Sequence, residues 1–122
     1  MHEYSIAKNI MDSLTELKPE YQDKPVIKVT ILAGRLHRIV PESLFFYLDL
    51  LKKDSEFKDT EFVFREKDVE VRCSTCNNIS KLADFFLFCP LCNSLDVRLV
   101  SGNELVIESI EIEEKEDGDK SL

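Results

Sequence analysis

Long apolar runs are absent from this chain of 122 residues, and its start lacks a basic flank followed by an apolar core. A membrane-crossing helix needs roughly 18 or more consecutive, mostly apolar residues, and a secretory leader needs the flank and core together. We therefore expect a protein without membrane segments that resides in the reducing cytoplasm, where thiols stay available. The hydrophobic fraction of 43% still supports a folded globule.

Positive charge is scarce, because 16 Lys and Arg residues stand against 24 Asp and Glu residues, for a formal net charge of -8. Proteins bind phosphate backbones mainly through Lys and Arg, so we expect no nucleic-acid partner. Part of the acidic excess lies in residues 114–122, which we interpret as a solvated acidic tail.

Glycine and histidine are also scarce, with three and two residues respectively. The sequence shows no glycine-rich phosphate loop, no nucleophile–base pair and no zinc pattern with an open catalytic position, so we do not expect an enzyme. One histidine, His37, follows the first predicted strand between Arg35 and Arg38. We interpret it as a loop residue, with an auxiliary metal ligand as the alternative.

Hydrophobic periodicity predicts two helices and three strands. Apolar residues recur at three- to four-residue steps over 3–18, which indicates an amphipathic helix that ends near Pro19. A second helix is predicted to begin at Pro41, since proline suits the first helical position. Residues 26–32, 60–71 and 104–112 have β character, whereas the segment between the last two strands looks like an insertion.

The insertion contains all four cysteines, in two Cys-x-x-Cys pairs separated by twelve residues: Cys73 with Cys76, and Cys89 with Cys92. Two such knuckles complete the sulfur tetrahedron that structural zinc prefers, with no open position for catalysis. The site would contribute on the order of 10 kcal/mol to local folding. Two disulfides, a thioredoxin-like redox pair and an iron–sulfur cluster remain as alternatives.

The first three residues, Met1, His2 and Glu3, can surround a divalent cation with nitrogen donors. These donors are the α-amine, the backbone nitrogens of the second and third residues, and the His2 imidazole. Nickel(II) and copper(II) accept square-planar nitrogen coordination well, and zinc accepts it less readily. The alternative is that His2 is an ordinary mobile side chain in solvent.

Several motifs in this order resemble the HypA/HybF family of hydrogenase maturation factors. They are the opening Met1-His2-Glu3-Tyr4-Ser5, Gly34, the segment 40–46, both cysteine knuckles, Gly102-Asn103-Glu104-Leu105 and Ile110-Glu111-Ile112. The resemblance implies a nickel metallochaperone that helps load nickel into the large subunit of [NiFe]-hydrogenase together with a HypB-type GTPase. Nickel would be bound by Met1, His2 and Glu3, and zinc by the four cysteines; some family members also serve urease.

The resemblance also implies an α+β fold in which two helices lie on a small mixed sheet and an inserted four-cysteine zinc-ribbon domain projects from it. We assign residues 1–68 and 102–113 to the nickel-binding domain and residues 69–101 to the zinc domain. Exposed helix and strand edges make a homodimer conceivable. The alternative function is a zinc-ribbon adaptor that binds another protein and carries no nickel.

Overall fold

The computed structural model describes residues 2–83 and 87–113, which form two α-helices and six β-strands. The helices are α1 (Glu3–Glu16) and α2 (Pro41–Lys52). The strands are β1 (Val26–Gly34), β2 (Glu61–Lys67), β3 (Val69–Cys73), β4 (Ile79–Leu82), β5 (Val97–Ser101) and β6 (Leu105–Ile112), and short 3₁₀ turns cover Lys18–Tyr21 and Arg35–His37. The strands make two three-stranded sheets, in the orders β2-β1-β6 and β4-β3-β5. The predicted α+β class is confirmed.

No helix in the described part of the chain is long and apolar enough to cross a membrane. The predicted acidic tail, 114–122, lies outside the described residues, as does Met1. The described residues divide into two compact units, of which one comprises 2–31, 40–63 and 107–113 and the other comprises 32–39, 64–83 and 87–106.

In the first unit, α1 packs against α2. The predicted apolar stripe of α1 is confirmed, because its periodic residues are buried, and Met11 is a core residue at 9% exposure. Leu44 and Leu48 of α2 are fully buried. Helix α1 ends at Glu16, two residues earlier than predicted, and Pro19 lies in the 3₁₀ turn that follows it. Burial of these side chains is the main term that stabilises the unit.

Thr60 fixes the approach to β2 within the same unit. Its side chain is buried, and its hydroxyl donates a hydrogen bond to the backbone carbonyl of Val26 at 2.8 Å. Its own carbonyl accepts a hydrogen bond from Lys52 Nζ at 2.7 Å, and its N–H donates to the carbonyl of Phe57 at 2.9 Å. The polar groups of a buried residue are therefore satisfied.

The second unit contains the sheet β4-β3-β5, in which β3 is antiparallel to both neighbours. Its core consists of Val69, Val71 and Leu82, against which Leu36, Val97 and Leu99 pack. Glu70 of β3 pairs with Ser101 of β5, and the register shifts between Glu70 and Val71. The two strands that flank the cysteine segment are thus direct neighbours.

The prediction of one continuous strand over 60–71 is wrong, because β2 ends at Lys67 and β3 begins at Val69. Asp68 lies at the break. Its carboxylate is 3.4 Å from Arg35 Nη1 and 3.3 Å from Lys81 Nζ, and its carbonyl accepts a hydrogen bond from Ser101 Oγ at 2.9 Å. These contacts take the place of a continuous ladder at this residue. The insertion also contains two strands, β4 and β5, that periodicity did not predict.

The end of β1 crosses the chain very closely at Gly102. Gly34 N–H donates to the carbonyl of Glu104 at 2.7 Å, and Leu36 N–H donates to the carbonyl of Gly102 at 3.0 Å. A Cβ on Gly34 would overlap the Gly102 carbonyl, and Gly102 itself has a φ of +117°. Gly34 therefore has to be glycine because the chain passes so close to it, and Gly102 adopts a φ that favours glycine.

Candidate metal centres

The two cysteine pairs fold into knuckles with the same local structure. In the first, Cys73 at the end of β3 accepts a hydrogen bond at its carbonyl from Asn77 N–H at 2.9 Å, while its N–H donates to the carbonyl of Asn78 at 3.0 Å. The second repeats this pattern, with Asn93 N–H donating to the Cys89 carbonyl at 2.8 Å and Cys89 N–H donating to the Ser94 carbonyl at 2.9 Å.

Each knuckle turns back through an asparagine directly after its second cysteine. Asn77 and Asn93 have φ values of 63° and 64°, in the left-handed region that asparagine tolerates better than most residues. The sequence therefore repeats as Cys-x-x-Cys-Asn, and this repeated asparagine is the signal that could have predicted the turn.

The four sulfur atoms lie within 4.8 Å of one another, so the structure brings together all four predicted zinc ligands. Cys73 Sγ is 3.5 Å from Cys92 Sγ, and Cys76 Sγ is 3.7 Å from Cys89 Sγ. A tetrahedron with Zn–S bonds of about 2.3 Å has sulfur–sulfur edges of about 3.8 Å. The donor set and its spacing therefore fit a single zinc ion.

The alternatives to zinc fit this geometry less well. All four cysteines are free, so neither pair forms a disulfide. Neither knuckle opens a helix in the described residues, whereas a thioredoxin-like pair requires one. An iron–sulfur cluster contains several iron ions, and sulfurs within 4.8 Å of one another leave room for one ion only.

Amide donors surround the sulfurs of the first knuckle. Cys73 Sγ accepts hydrogen bonds from Cys76 N–H and Thr75 N–H, at 3.5 and 3.3 Å, and these, together with the Cys92 and Cys76 thiols, lower the pKa of the Cys73 thiol to about 6. Hydrogen bonds from the backbone and side chain of Asn78 lower the pKa of Cys76. Thiolate is the form that binds metal, so these donors favour the ligating state.

Cys92 shows the opposite direction. The Ser94 N–H lowers its pKa, but the Cys73 sulfur, desolvation of the Cys92 sulfur, and the sulfurs of Cys89 and Cys76 raise the pKa of Cys92 to about 12. Sulfurs packed this closely compete to hold negative charge. A divalent cation among them removes that competition, which again fits a metal at the centre.

The knuckles also contact each other through their hydroxyl groups. Thr75 Oγ1 donates to Ser94 Oγ at 3.1 Å, and the same Ser94 oxygen accepts the Asp96 N–H at 3.0 Å. Ser74 N–H donates to the carbonyl of Asp96 at 3.0 Å. These residues were not predicted from the sequence, because their roles depend on how the two knuckles meet.

At the other predicted site, His2 is an exposed residue that precedes α1. Its carbonyl accepts the first hydrogen bond of the helix from Ile6 N–H at 3.0 Å. The N–H groups of the first turn have no intrahelical acceptor, so the backbone nitrogens of His2 and Glu3 are not used by the helix ladder. A metal could bind them without breaking a helical hydrogen bond.

The Glu3 carboxylate contacts the start of the other helix. Glu3 Oε2 accepts a hydrogen bond from the backbone N–H of Val40, the residue before α2, at 3.1 Å. This hydrogen bond lowers the pKa of Glu3. The contact was not predicted, since Val40 contributes a backbone group that the sequence does not distinguish.

The predicted loop residue His37 ends the 3₁₀ turn after β1. Its Nε2 lies 2.9 Å from the carbonyl oxygen of Asn103, which can only accept, so the ring donates from Nε2. Among the residues that the structure describes, the four cysteines form the one group of three or more potential metal ligands, and His37 is not part of it.

Residues 1–112 match the model of a protein family described as "Hydrogenase/urease nickel incorporation, metallochaperone, hypA". The chain is 35% identical over 114 residues to a hydrogenase maturation factor HypA of Caldanaerobacter subterraneus subsp. tengcongensis, covering 93% of this chain and 100% of that protein. It is 34% identical over 113 residues to a protein of the same name from Prosthecochloris aestuarii, with the same coverage.

The fold is similar to that of a solution structure described as the Ni metallochaperone HypA from Helicobacter pylori. The TM-score is 0.68 at 23% sequence identity, with 92% of this chain and 97% of that chain covered. At 23% identity, this likeness shows that the two chains share a fold and nothing further.

Proposed function

This chain belongs to the HypA family of hydrogenase/urease nickel-incorporation metallochaperones, and from that membership we propose that it binds Ni(II) at its N-terminus and delivers it to the large subunit of a [NiFe]-hydrogenase. The observation that carries the proposal is the family match over residues 1–112, which spans both candidate metal centres. Nickel is then a cargo that the protein releases, and the chain catalyses no reaction of its own.

The proposed nickel ligands are the amine of Met1, the backbone nitrogens of His2 and Glu3, and the His2 ring. Two features support this set. His2 is exposed, and the backbone nitrogens precede the first helical hydrogen bond. Nitrogen donors in a plane suit Ni(II). A site at the end of a chain with few ligands also lets the cargo leave, which a carrier requires.

The proposed zinc ligands are Cys73, Cys76, Cys89 and Cys92, in a domain that spans residues 69–101. Four thiolates leave no open coordination position, so the ion stabilises the fold and does not activate water. The proposed nickel-binding domain comprises residues 1–68 and 102–113, of which 32–39, 64–68 and 102–106 belong to the compact unit that contains the cysteine sheet. Zinc is thus a resident ion, while nickel passes through.

The proposed partners are a HypB-type GTPase and the hydrogenase large subunit. Support comes from the family description and from the relatives named hydrogenase maturation factors. We also propose that the protein resides in the cytoplasm and that it can form a homodimer.

Nickel titration of the protein with its native N-terminus tests the nickel site. We compare the parent with His2→Ala and with the matched control His37→Ala, which removes the other histidine of the chain. His2→Ala is expected to lose nickel binding, whereas His37→Ala should bind nickel as the parent does. The zinc content should be the same in all three proteins. Equal nickel affinity and stoichiometry in the parent and His2→Ala would rule out the proposed ligands.

The alternative function, a zinc-ribbon adaptor without nickel cargo, is supported by exposed apolar residues near the second knuckle. Leu91 and Leu95 are 66% and 82% exposed. An adaptor would support hydrogenase maturation in cells equally well with His2→Ala as with the parent. If the protein instead carries nickel through His2, His2→Ala should reduce hydrogenase maturation even though its cysteine knuckles are intact.

A further inference from the structure

The side chain of Asn78 contacts a proposed zinc ligand directly. Asn78 Nδ2 donates a hydrogen bond to Cys76 Sγ at 3.4 Å. The backbone of the same residue closes the first knuckle, because its carbonyl accepts the Cys73 N–H at 3.0 Å. The knuckle fold therefore fixes the position from which the carboxamide reaches the sulfur.

The corresponding residue of the second knuckle behaves differently. Ser94 also stands two residues after the second cysteine of its pair, and its carbonyl accepts the N–H of Cys89 at 2.9 Å. Its hydroxyl, however, contacts Thr75 Oγ1 and the Asp96 N–H at 3.1 and 3.0 Å. Two equivalent backbone positions thus have different side-chain tasks: Asn78 donates to a sulfur, and Ser94 joins the two knuckles.

We propose that Asn78 is a positioning residue of the zinc centre, which holds the Cys76 sulfur in its ligating orientation and protects it from electrophiles and competing chelators. An N–H donor draws electron density from a thiolate, so the sulfur reacts more slowly while it stays bound. Cys76 is only partly buried, so solvent can reach it. The hydrogen bond supplies protection that burial does not.

This inference rests on the proposal that the four cysteines hold zinc, and the metal content of the parent protein is therefore measured first. Three variants of the full chain follow. Asn78→Asp keeps the size and shape of the side chain but replaces the donor with an acceptor. Asn78→Ala removes the side chain, and Ser94→Ala is the matched control, since it removes a hydrogen-bonding group from the equivalent position without touching a sulfur.

Cobalt(II) in place of zinc gives a readout that a general loss of stability does not move. The sulfur-to-cobalt charge-transfer absorption is expected to shift to lower energy in both Asn78 variants and to stay at the parent position in Ser94→Ala. Chelator competition is expected to show zinc affinity about tenfold weaker in Asn78→Asp. If Asn78→Asp takes up no metal, Asn78→Ala decides, because it removes the side-chain donor without adding a carboxylate and keeps the backbone N–H of residue 78 that also contacts Cys76.

Alkylation of the zinc-loaded proteins by N-ethylmaleimide, followed by peptide mass spectrometry, locates the effect. In the Asn78 variants, Cys76 is expected to react faster relative to the exposed Cys92 than it does in the parent. Equal charge-transfer energies in the parent and both Asn78 variants, or a rate of Cys76 alkylation relative to Cys92 that is unchanged from the parent, would overturn the role of Asn78 while leaving the zinc site intact. A parent protein that binds neither zinc nor cobalt would overturn both proposals.

Discussion

The carboxylate of Glu3, the first residue of α1, accepts a hydrogen bond from the backbone N–H of Val40, the residue that precedes α2, at 3.1 Å. The first turns of the two helices are therefore joined beside the proposed nickel ligands. This contact lowers the pKa of Glu3 below its ordinary value of 4.5. A lowered pKa means that ionised Glu3 favours the folded state.

The stabilisation by Glu3 should be present above pH 4.5 and lost as the pH falls through the lower pKa of the folded protein. We expect the amide resonance of Val40 to titrate with a midpoint below 4.5. Glu3→Gln should abolish this titration, whereas Glu16→Gln, at the exposed far end of α1, should preserve it. Nuclear magnetic resonance of the three proteins makes the measurement, and a Val40 shift that is flat with pH in the parent would contradict the contact.

Replacement of Gly34 by alanine should destabilise the protein on the order of 3 kcal/mol. The added Cβ would overlap the carbonyl of Gly102, and backbone on both sides of the crossing must move. Urea unfolding measures the change. Val100→Ala removes an exposed side chain of the same unit and should alter stability by about 0.5 kcal/mol or less. Comparable losses in the two variants would show that the close approach has no special cost.

Replacement of Cys73 by serine should remove zinc from the protein and disorder β3, β4 and β5. Metal binding to such a site contributes on the order of 10 kcal/mol, and the small apolar core of this sheet cannot replace it. Amide hydrogen exchange of Val71 and Leu82 should become fast, while the protected amides of α1 persist. Ser74→Ala, which changes the adjacent exposed residue, should retain zinc. Full zinc occupancy in Cys73→Ser would argue against a four-sulfur site.

Replacement of Thr60 by valine should cost about 1–2 kcal/mol, because the carbonyl of Val26 loses the hydroxyl that it binds at 2.8 Å. Thr30→Val is the control. Thr30 is also buried, but among the described residues its hydroxyl has no hydrogen-bond partner. Thermal unfolding of both variants tests the difference, and a Thr60→Val protein as stable as Thr30→Val would show that the hydrogen bond contributes nothing net.

The sequence was sufficient for the elements whose burial is periodic. Helix α1 has one apolar stripe along its length, so its core residues could be named from spacing alone. The four sulfur ligands were also predictable, since the Cys-x-x-Cys spacing itself determines that each pair converges. In both cases the information lies within a few neighbouring residues.

The elements that were missed depend on residues far apart in the chain. β5 alternates as Val97, Arg98 and Leu99, but over five residues this pattern is too short to distinguish from a loop. The break at Asp68 depends on Arg35 and Lys81, and no local signal announces those partners. The Glu3–Val40 hydrogen bond likewise joins residues that only the folded chain brings together.

The pairing of Glu70 with Ser101 places the two strands that begin and end the cysteine segment side by side. The chain therefore enters and leaves the cysteine segment at neighbouring positions of one sheet. Residues can therefore be added or removed between the two knuckles without separating Glu70 from Ser101, because a change in loop length costs little free energy when the ends of the loop are already held together.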